Sequence, residues 1–308
     1  MASKPKKAHR IEGGLSSSLI KKPIKRWFPL FMGPTIICFC IGFIWPFIQG
    51  IYLSFCQFTI ITKTKFVGFS NYIRALTDPS FIHAFWYTAL YTVVSVVLIN
   101  LFAFAFALAL TQKMKGSNIF RTVFFMPNLI GGIVLSYIWS MIYDGILSKY
   151  GTSILMDERL GFWGLVILMC WQQIGYMMII YIAGLQAIPE DMLEAAKIDG
   201  ASRWQTLTRI TIPNVMSSIT ICTFLALSNG FKLFDQNLAL TGGLPISYVD
   251  GKQVSASEML ALNIYSTYMM TGKSSRGTAQ AKAVIFFILV AAIGLLQLKF
   301  TREKEVQQ

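Results

Sequence analysis

The amino-acid sequence predicts an all-α polytopic membrane protein with six transmembrane helices. Its 308 residues are 55% hydrophobic and only 13% charged, a balance too apolar for a typical soluble domain of this length. Six apolar runs are each long enough to cross a hydrocarbon core, which needs about 20 helical residues. The positions of the basic residues then give the expected orientation of those six helices in the membrane.

The first 26 residues form a basic tail, which we expect to be cytoplasmic. They contain eight Lys and Arg residues against one acid, Glu12. Positive charge before a first span retains an N-terminus in the cytoplasm, so the net charge of +13 indicates topology rather than nucleic acid binding. The apolar run that follows is longer than the roughly 7 to 15 residues of a signal-peptide core, so we expect the tail to stay uncleaved.

Residues 27–300 form the predicted transmembrane domain, and residues 301–308 form a second cytoplasmic tail. An even number of spans places both termini on the same side of the membrane. With the N-terminus inside, the cytoplasmic segments contain 17 of the 27 Lys and Arg residues: eight in the tail, and three each after the second span, in the polar island 188–213 and at the C-terminal end. The spans are predicted near Trp27 to Cys56, Ile82 to Thr111, Ile119 to Tyr143, Gly161 to Gln186, Asn214 to Phe234 and Ala281 to Phe300.

Two features within the spans indicate how the helices pack. Pro127, with Gly131 and Gly132, predicts a kink and a close helix contact in the third span, because neighbouring helices can satisfy the freed backbone. The five cysteines all fall within or at the ends of apolar runs, so we expect buried thiols rather than a disulfide framework or a metal cluster.

The polar island 188–213 separates the fourth and fifth spans, and its sequence predicts a helix–turn–helix. Pro189 suits a first helical turn, and the helix is predicted to run to about Asp199, with Gly200 leaving it at positive φ. Ser202 with Gln205 predicts a capping box at the start of a second helix. Pro213 is expected to close the island and to open the next helix.

The same island resembles the "EAA" loop of permease subunits in bacterial ATP-binding-cassette (ABC) importers. The resemblance rests on Glu194, Ala195, Ala196, Gly200, Ile210, Ile212 and Pro213 at the family's spacing, with Ile212 standing where the family has Leu. In that family the loop is the cytoplasmic coupling helix that docks on the ATPase subunit. The resemblance therefore implies an ATPase-coupling site at Glu194, Ala195, Ala196, Asp199 and Gly200, whereas the simpler interpretation is an ordinary amphipathic helical hairpin.

Two further segments resemble carbohydrate-importer permeases of the maltose-transporter type. Residues 66–72, ending in Asn71 and Tyr72, are similar to a segment between the first two spans of those permeases, although an amphipathic interfacial helix has the same pattern. Residues 234–245 are similar to the signature after their fifth span, except that Leu244 replaces a small residue. Together with the EAA-like loop, the resemblance covers about residues 27 to 300 and implies the type I ABC importer permease fold.

The resemblance implies partners and a location as well as a fold. These are a second homologous permease in a heterodimer, two cytoplasmic ATPase subunits that bind the ATP and Mg²⁺, and an extracytoplasmic sugar-binding protein. The chain itself would bind no cofactor and would lie in the lipid bilayer of a bacterial plasma membrane. It would be the conduit for a sugar or oligosaccharide and not an enzyme.

A substrate cavity near mid-membrane needs groups that hydrogen-bond sugar hydroxyls. The resemblance places sugar contacts at Gln172, Gln173, Tyr176, Asn229, Gly230 and Leu233. Two adjacent glutamines in hydrocarbon are costly unless they face a cavity or another helix, so helix–helix hydrogen bonding is the alternative. For Lys232 and Asp235, three residues apart near the outer face, an ion pair is the favoured interpretation.

Other functions have less support in the sequence. The two histidines, His9 and His83, allow neither a His-based catalytic triad nor a His-rich metal site. Gly272-Lys273-Ser274 lacks the earlier Gly of a phosphate-binding loop. Two alternatives stay open: a same-superfamily permease for a solute such as a glycerol-phosphate ester, for which Lys232 is the only plausible cation, and an ATPase-independent secondary transporter, which would need ionisable residues at mid-membrane. The sequence leaves the sugar, the partner subunits and the conformation of residues 241–280 undetermined.

Overall fold

The computed structural model describes residues 28, 30–60, 64–112, 115–249, 251–270, 272 and 275–302. The basic tail 1–26, Lys113 and most of the C-terminal tail lie outside the described residues. The chain divides into two compact units, residues 1–52 and 53–308. The helices are α1 (Leu30–Ser54), α2 (Ser70–Leu76), α3 (Pro79–Thr111), α4 (Ser117–Leu129), α5 (Gly132–Tyr150), α6 (Glu158–Gln186), α7 (Glu190–Ile198), α8 (Arg203–Asn214), α9 (Met216–Phe231), α10 (Asp235–Leu240), α11 (Leu260–Met269) and α12 (Ser275–Arg302). Two antiparallel hairpins complete the fold, formed by β1 (Cys56–Phe58) with β2 (Thr64–Phe66) and by β3 (Ile246–Val249) with β4 (Lys252–Ser255).

Within the described residues, four helices are each long and apolar enough to cross a membrane, and the number of spans is six if each of two bent pairs counts as one. The four are α1, α3, α6 and the segment Ser275–Lys299 of α12. The other two spans are bent pairs, α4 with α5 at 102° and α8 with α9 at 69°. The predicted six-span, all-α architecture is confirmed, but the third span is sharply broken where the sequence predicted only a kink.

The break in the third span lies where Pro127, Gly131 and Gly132 predicted an interruption. Residues Met126–Leu129 form a 3₁₀ turn, and α5 begins again at Gly132. Proline removes a backbone donor, so the helix cannot continue through it with its full set of hydrogen bonds. The Ile130 carbonyl at the break accepts a hydrogen bond from Gln172 Nε2 at 3.2 Å, which satisfies a backbone group left free by the bend.

The fifth span differs from the prediction at its start. The helical stretch that follows Ser202 continues through Pro213 to Asn214, and the break falls at Val215, so the expectation that Pro213 opens the next helix is wrong. A π-helical turn at Leu207–Thr211 precedes the proline. Such turns accommodate a missing backbone donor inside a helix, which explains why the chain does not break at Pro213 itself.

Helix α6 is at the centre of the second unit. Its buried side chains, including Met177, Met178 and Tyr181, join those of α3 and α9 in one apolar cluster. Leu165 and Leu168, nearer its start, join Tyr91 and Leu233 in a second cluster. The elements that carry the candidate sites are therefore packed around one helix.

The cysteines follow the prediction only in part. All five are free thiols, and Cys56 and Cys222 are buried while Cys170 is half-buried. Cys38 and Cys40 are exposed on α1, so the expectation of burial is wrong for these two. Both lie within the apolar helix α1, where a thiol behaves as a small hydrophobic side chain.

Residues 241–249 and 251–270, part of the segment whose conformation the sequence left undetermined, fold onto the spans. The Leu260 amide donates to Thr88 Oγ1 of α3 at 2.9 Å, and His83 Nε2 lies 2.8 Å from the Ala256 carbonyl oxygen. Asn237 of α10 is hydrogen-bonded to the segment: its Nδ2 donates to the Ser257 carbonyl and its Oδ1 accepts from the Met259 amide. The segment is therefore an ordered cap on the spans.

A buried lysine joins this cap to two spans. Lys282 of α12 is 1% exposed, and its Nζ donates to Asp78 Oδ2 at 2.7 Å, Asn263 Oδ1 at 2.8 Å and Thr267 Oγ1 at 2.8 Å. Asn263 Nδ2 donates in turn to Glu258 Oε2. Three oxygens satisfy all three donors of the ammonium, which is the condition for a charge to be tolerated in the interior. We call these five residues the Lys282 cluster.

The contact between α4 and α6 depends on a glycine. A Cβ atom added at Gly175 would overlap the backbone of Phe124 and Phe125. We expect Gly175→Ala to lower the thermal unfolding temperature of the purified chain, because overpacking typically costs about 1–3 kcal/mol. Gly145→Ala in α5 is the matched control, since nothing lies within 4 Å of its added Cβ, and an unchanged temperature for Gly175→Ala would contradict the close packing.

Candidate functional site

The polar island forms a two-helix projection, largely as its local sequence predicts. Helix α7 begins after Pro189, and Glu190 and Asp191 lie in its first turn, where the helix dipole favours acids. The chain turns at Gly200 with φ of +75°, a conformation that glycine adopts without strain. The predicted capping box is present at Ser202 and Gln205, so the projection is held by its own hydrogen bonds.

Helix α7 has an inner and an outer face. Ala196 is buried, and Leu193 packs against the apolar cluster centred on α6. Glu194 and Ala195 are exposed on the other side. The five residues predicted for coupling are thus divided: Ala196 anchors the helix, Glu194 and Ala195 face outward, and Asp199 and Gly200 form the exposed turn.

Two apolar side chains on this projection were not identified from the sequence. Ile198 is 85% exposed and Trp204 is 71% exposed. Ile198 lies one helical turn after Glu194, so it extends the outer face of α7. Large apolar side chains exposed in an otherwise polar loop are typical of a protein–protein contact, and this signal could have been found in the sequence.

A polar cluster lies where the spans α6 and α9 meet. Asn229 Nδ2 lies 3.4 Å from Gln173 Oε1, and Gln236 Nε2 donates to Gln172 Oε1 at 2.9 Å. Gln172 also donates to the Ile130 carbonyl at the break between α4 and α5. Each predicted glutamine is thus hydrogen-bonded within the chain, as the helix–helix alternative expected. Gln236 of α10 is a member that the sequence reasoning missed.

Part of this cluster keeps hydrogen-bonding capacity for a ligand. Among the residues that the structure describes, Gln173 Nε2 and Asn229 Oδ1 have no hydrogen-bond partner. Tyr176 lies one turn further along α6, is half-buried and packs against the apolar cluster that contains Met178 and Tyr181. The free amide donor and the free amide acceptor fit the hydroxyl groups of a sugar.

The remaining predicted sugar contacts lie in helix packing. A Cβ atom added at Gly230 would lie 2.8 Å from Cγ2 of Thr92, so the glycine permits close contact between α9 and α3. Leu233 is 3% exposed and belongs to the second apolar cluster of α6. Both positions therefore contribute to packing between helices.

Lys232 and Asp235 are not paired. The one ion pair between described residues joins Lys282 and Asp78, so the favoured interpretation of a Lys232–Asp235 pair is wrong. Lys232 instead lines an apolar cavity of about 470 Å³ between α9 and α12. The helix ends at Phe231, and this turns the two side chains away from helical i,i+3 spacing.

Comparisons with known proteins agree with this architecture. Residues 102–303 match the family described as the binding-protein-dependent transport system inner membrane component. The chain is 38% identical to the probable starch degradation products transport system permease protein AmyD of Thermoanaerobacterium thermosulfurigenes, across 91% of this chain and 96% of that protein. It is 32% identical to the multiple sugar-binding transport system permease protein MsmF of Streptococcus mutans, across 92% of this chain and 97% of that protein. These relatives are transport permeases and not enzymes.

A solved structure shares the fold. A chain of a bacterial ABC transporter involved in the import of the acidic polysaccharide alginate superposes with a TM-score of 0.74, covering 92% of this chain and 99% of that one at 21% identity. The likeness confirms the predicted importer-permease fold. With the six spans, the projecting loop and these relatives, the chain belongs to the family of inner membrane components of binding-protein-dependent transport systems.

Proposed function

We propose that this chain is a permease subunit of an ABC importer that carries a sugar or oligosaccharide, delivered by an extracytoplasmic binding protein and driven by a separate ATPase. The observation that carries this function is the capped two-helix projection with Glu194 on its outer face. Its residues have the spacing of the coupling loop; Glu194, Ala195, Asp199 and Gly200 are exposed, and Ala196 is buried. Three relatives at 30–38% identity are named as transport permeases for starch degradation products, multiple sugars, and trehalose or maltose, which supports a carbohydrate substrate.

The proposed assembly contains two permeases and two ATPases. A second, homologous permease pairs with this chain, and one ATPase receives helix α7. Both termini and the projection then lie in the cytoplasm of a bacterial plasma membrane, in agreement with the distribution of Lys and Arg in the sequence. ATP and Mg²⁺ are bound by the ATPase, and this chain contributes the surface that transmits its closure.

In the proposed mechanism the outer face of α7 is the contact with the ATPase. Glu194 pairs with a basic group of the partner, and Ile198 and Trp204 supply apolar contact area around it. Closure of the ATPase dimer on ATP displaces the projection. Because Ala187 directly joins α6 to this projection, the displacement passes to the span that carries Gln173 and Tyr176. The spans then alternate between inward-open and outward-open states.

The composition of the polar cluster favours a neutral solute. Gln173, Asn229 and Tyr176 are uncharged, and Lys232, the cation required for a glycerol-phosphate ester, lines a different cavity. One relative at 26% identity is named an sn-glycerol-3-phosphate permease, so the family includes such transporters. The position of Lys232 nevertheless favours the sugar. Family membership likewise favours an ATPase-driven importer over a secondary transporter.

The substrate proposal is tested by uptake of labelled sugars in cells that carry the intact transport system. Replacing Gln173 and Asn229 together by Ala removes the free donor and acceptor, so we expect uptake of the preferred oligosaccharide to fall about tenfold, which corresponds to about 1.4 kcal/mol. Ser228→Ala on the same helix α9 is the matched control, because Ser228 lines the cavity that contains Lys232. Equal uptake of every sugar by the double variant and the wild type would contradict a site at this cluster.

A further inference from the structure

A groove of about 390 Å³ lies between the N-terminal parts of α3 and α6, away from the polar cluster and from the projection. It is lined by Tyr87, Leu90, Glu158, Arg159, Phe162 and Trp163. The two helices contribute different groups, with Tyr87 and Leu90 from α3 and the other four from α6. None of these residues has a part in the proposed translocation of sugar.

The charges in this groove are unpaired. Glu158 and Arg159 are adjacent in the first turn of α6, and within the described residues neither forms an ion pair. Tyr87 is 6% exposed, and its hydroxyl oxygen, buried beside the groove, has no hydrogen-bond partner there. A buried hydroxyl without a partner costs free energy, so a ligand that supplies one is favoured.

The depth of the groove in the membrane follows from helix lengths. Helix α3 has 33 residues and α6 has 29, so at about 1.5 Å per residue they are longer than the hydrocarbon core of about 30 Å. If each helix is centred, the core begins near residue 85 of α3 and near Phe162 of α6. Glu158 and Arg159 then lie at the level of the lipid headgroups, Trp163 lies at the edge of the hydrocarbon, and Leu90 lies about 7 Å inside it.

The exposed rim of the groove agrees with this depth. Leu90 is 59% exposed and Trp163 is 52% exposed. Tryptophan is enriched at the boundary between lipid and water, and an exposed leucine beside it fits an acyl chain. A water-soluble sugar would instead require a polar rim. The groove thus presents one negative and one positive group above an apolar wall.

We propose that this groove binds a phospholipid whose headgroup has a phosphodiester and a primary ammonium, as in phosphatidylethanolamine. Arg159 donates to the phosphodiester oxygens, and the ammonium donates to the Glu158 carboxylate, so each charge is neutralised by its complement. The first acyl carbons pack on Leu90 and Trp163. Choline lacks the N–H donors that Glu158 requires, and phosphatidylglycerol lacks the cation. This site is independent of the proposed sugar and coupling sites.

The proposal is tested by native mass spectrometry of the full chain, purified with its transport partners and exchanged into detergent with one defined lipid at a time. The probes are phosphatidylethanolamine, phosphatidylcholine and phosphatidylglycerol with identical acyl chains. We expect phosphatidylethanolamine to be retained at least about fivefold more than either of the other two, the ratio expected for one added charge-assisted hydrogen bond in a partly hydrated site.

Single substitutions test the roles of Glu158 and Arg159 one at a time. Glu158→Gln should remove the preference for phosphatidylethanolamine over phosphatidylcholine, whereas Arg159→Gln should lower retention of all three lipids. Asp144→Asn in α5 and Arg74→Gln in α2 are the matched controls, since each removes one exposed charge outside the groove. Glu158→Asp, which keeps the carboxylate, should keep the preference, and an unchanged unfolding temperature in each variant excludes misfolding as the cause.

Three outcomes would overturn the proposal. Equal retention of the three lipids by the wild type would show no headgroup selection. The second outcome is that only Arg159→Gln lowers lipid retention and that phosphatidylglycerol is retained as strongly as phosphatidylethanolamine. The groove would then recognise the lipid phosphate and not the ammonium. Efficient photo-cross-linking to the second permease of a p-benzoylphenylalanine placed at position 163 in the intact complex would show that a protein occupies the groove.

Discussion

Glu194→Lys is expected to abolish sugar uptake while leaving the chain folded. Glu194 is exposed on the outer face of α7, so its replacement removes no contact within this chain. In the proposed contact with the ATPase, however, the substitution places a lysine against a basic group. Loss of a buried interfacial charge pair costs about 2–5 kcal/mol, which is more than tenfold in affinity. Uptake of labelled oligosaccharide and co-purification of the ATPase should fall together.

Glu190→Lys provides the matched control for this experiment. It makes the same charge change on the same helix, but in the first turn, where replacing an acid opposes the helix dipole and costs about 0.3–1 kcal/mol. If local destabilisation of α7 caused the loss of transport, Glu190→Lys would be the more harmful variant. If Glu194→Lys transports normally, the proposed coupling surface is wrong, whatever the result for the sugar-site variant.

Lys282→Met is expected to destabilise the chain by about 3–5 kcal/mol, the cost of removing one partner from a buried ion pair. The ammonium has three oxygen partners, and its loss leaves Asn263 Oδ1, Thr267 Oγ1 and Asp78 Oδ2 without their donor. Because side chains from α11, α12 and the start of α3 meet at this cluster, the cap on the spans should loosen. The measurement is the thermal unfolding temperature of the purified chain in detergent.

Lys299→Met, near the other end of the same helix, is the matched control and should change the unfolding free energy by less than about 0.5 kcal/mol, because Lys299 is exposed. Asp78→Asn tests the pairing itself. It removes the negative charge but can keep the carboxamide oxygen that accepts from the Ser80 amide at the start of α3. Additive effects of Asp78→Asn and Lys282→Met would contradict a direct interaction between the two side chains.

Features set by neighbouring residues could be predicted from the sequence. The helix after Pro189, the turn at Gly200 and the capping box at Ser202 depend on interactions within a few residues, and all three are present. The exact break of the fifth span could not be predicted. It falls at Val215, one turn after a π-helical segment that absorbs the proline, and the sequence has no clear signal for that turn.

Contacts between segments that are distant in the chain could not be predicted from local sequence patterns. Gln236 lies in a short helix after the fifth span, and only the tertiary fold brings it within hydrogen-bonding distance of Gln172. Lys282 and Asp78 are separated by 204 positions in the chain. In the sequence Lys282 resembles a flanking charge at the start of a span. Its burial depends on contacts between α12, α11 and the start of α3.

The broken third span affects how many parts move during transport. Helix α4 is held to α6 at two levels, by the backbone contact at Gly175 and by the hydrogen bond from Gln172 to the Ile130 carbonyl. Separating them would expose a backbone carbonyl to hydrocarbon, which costs several kcal/mol. We therefore expect α4 to move together with α6 during transport, so that the number of independently moving parts is smaller than the number of spans.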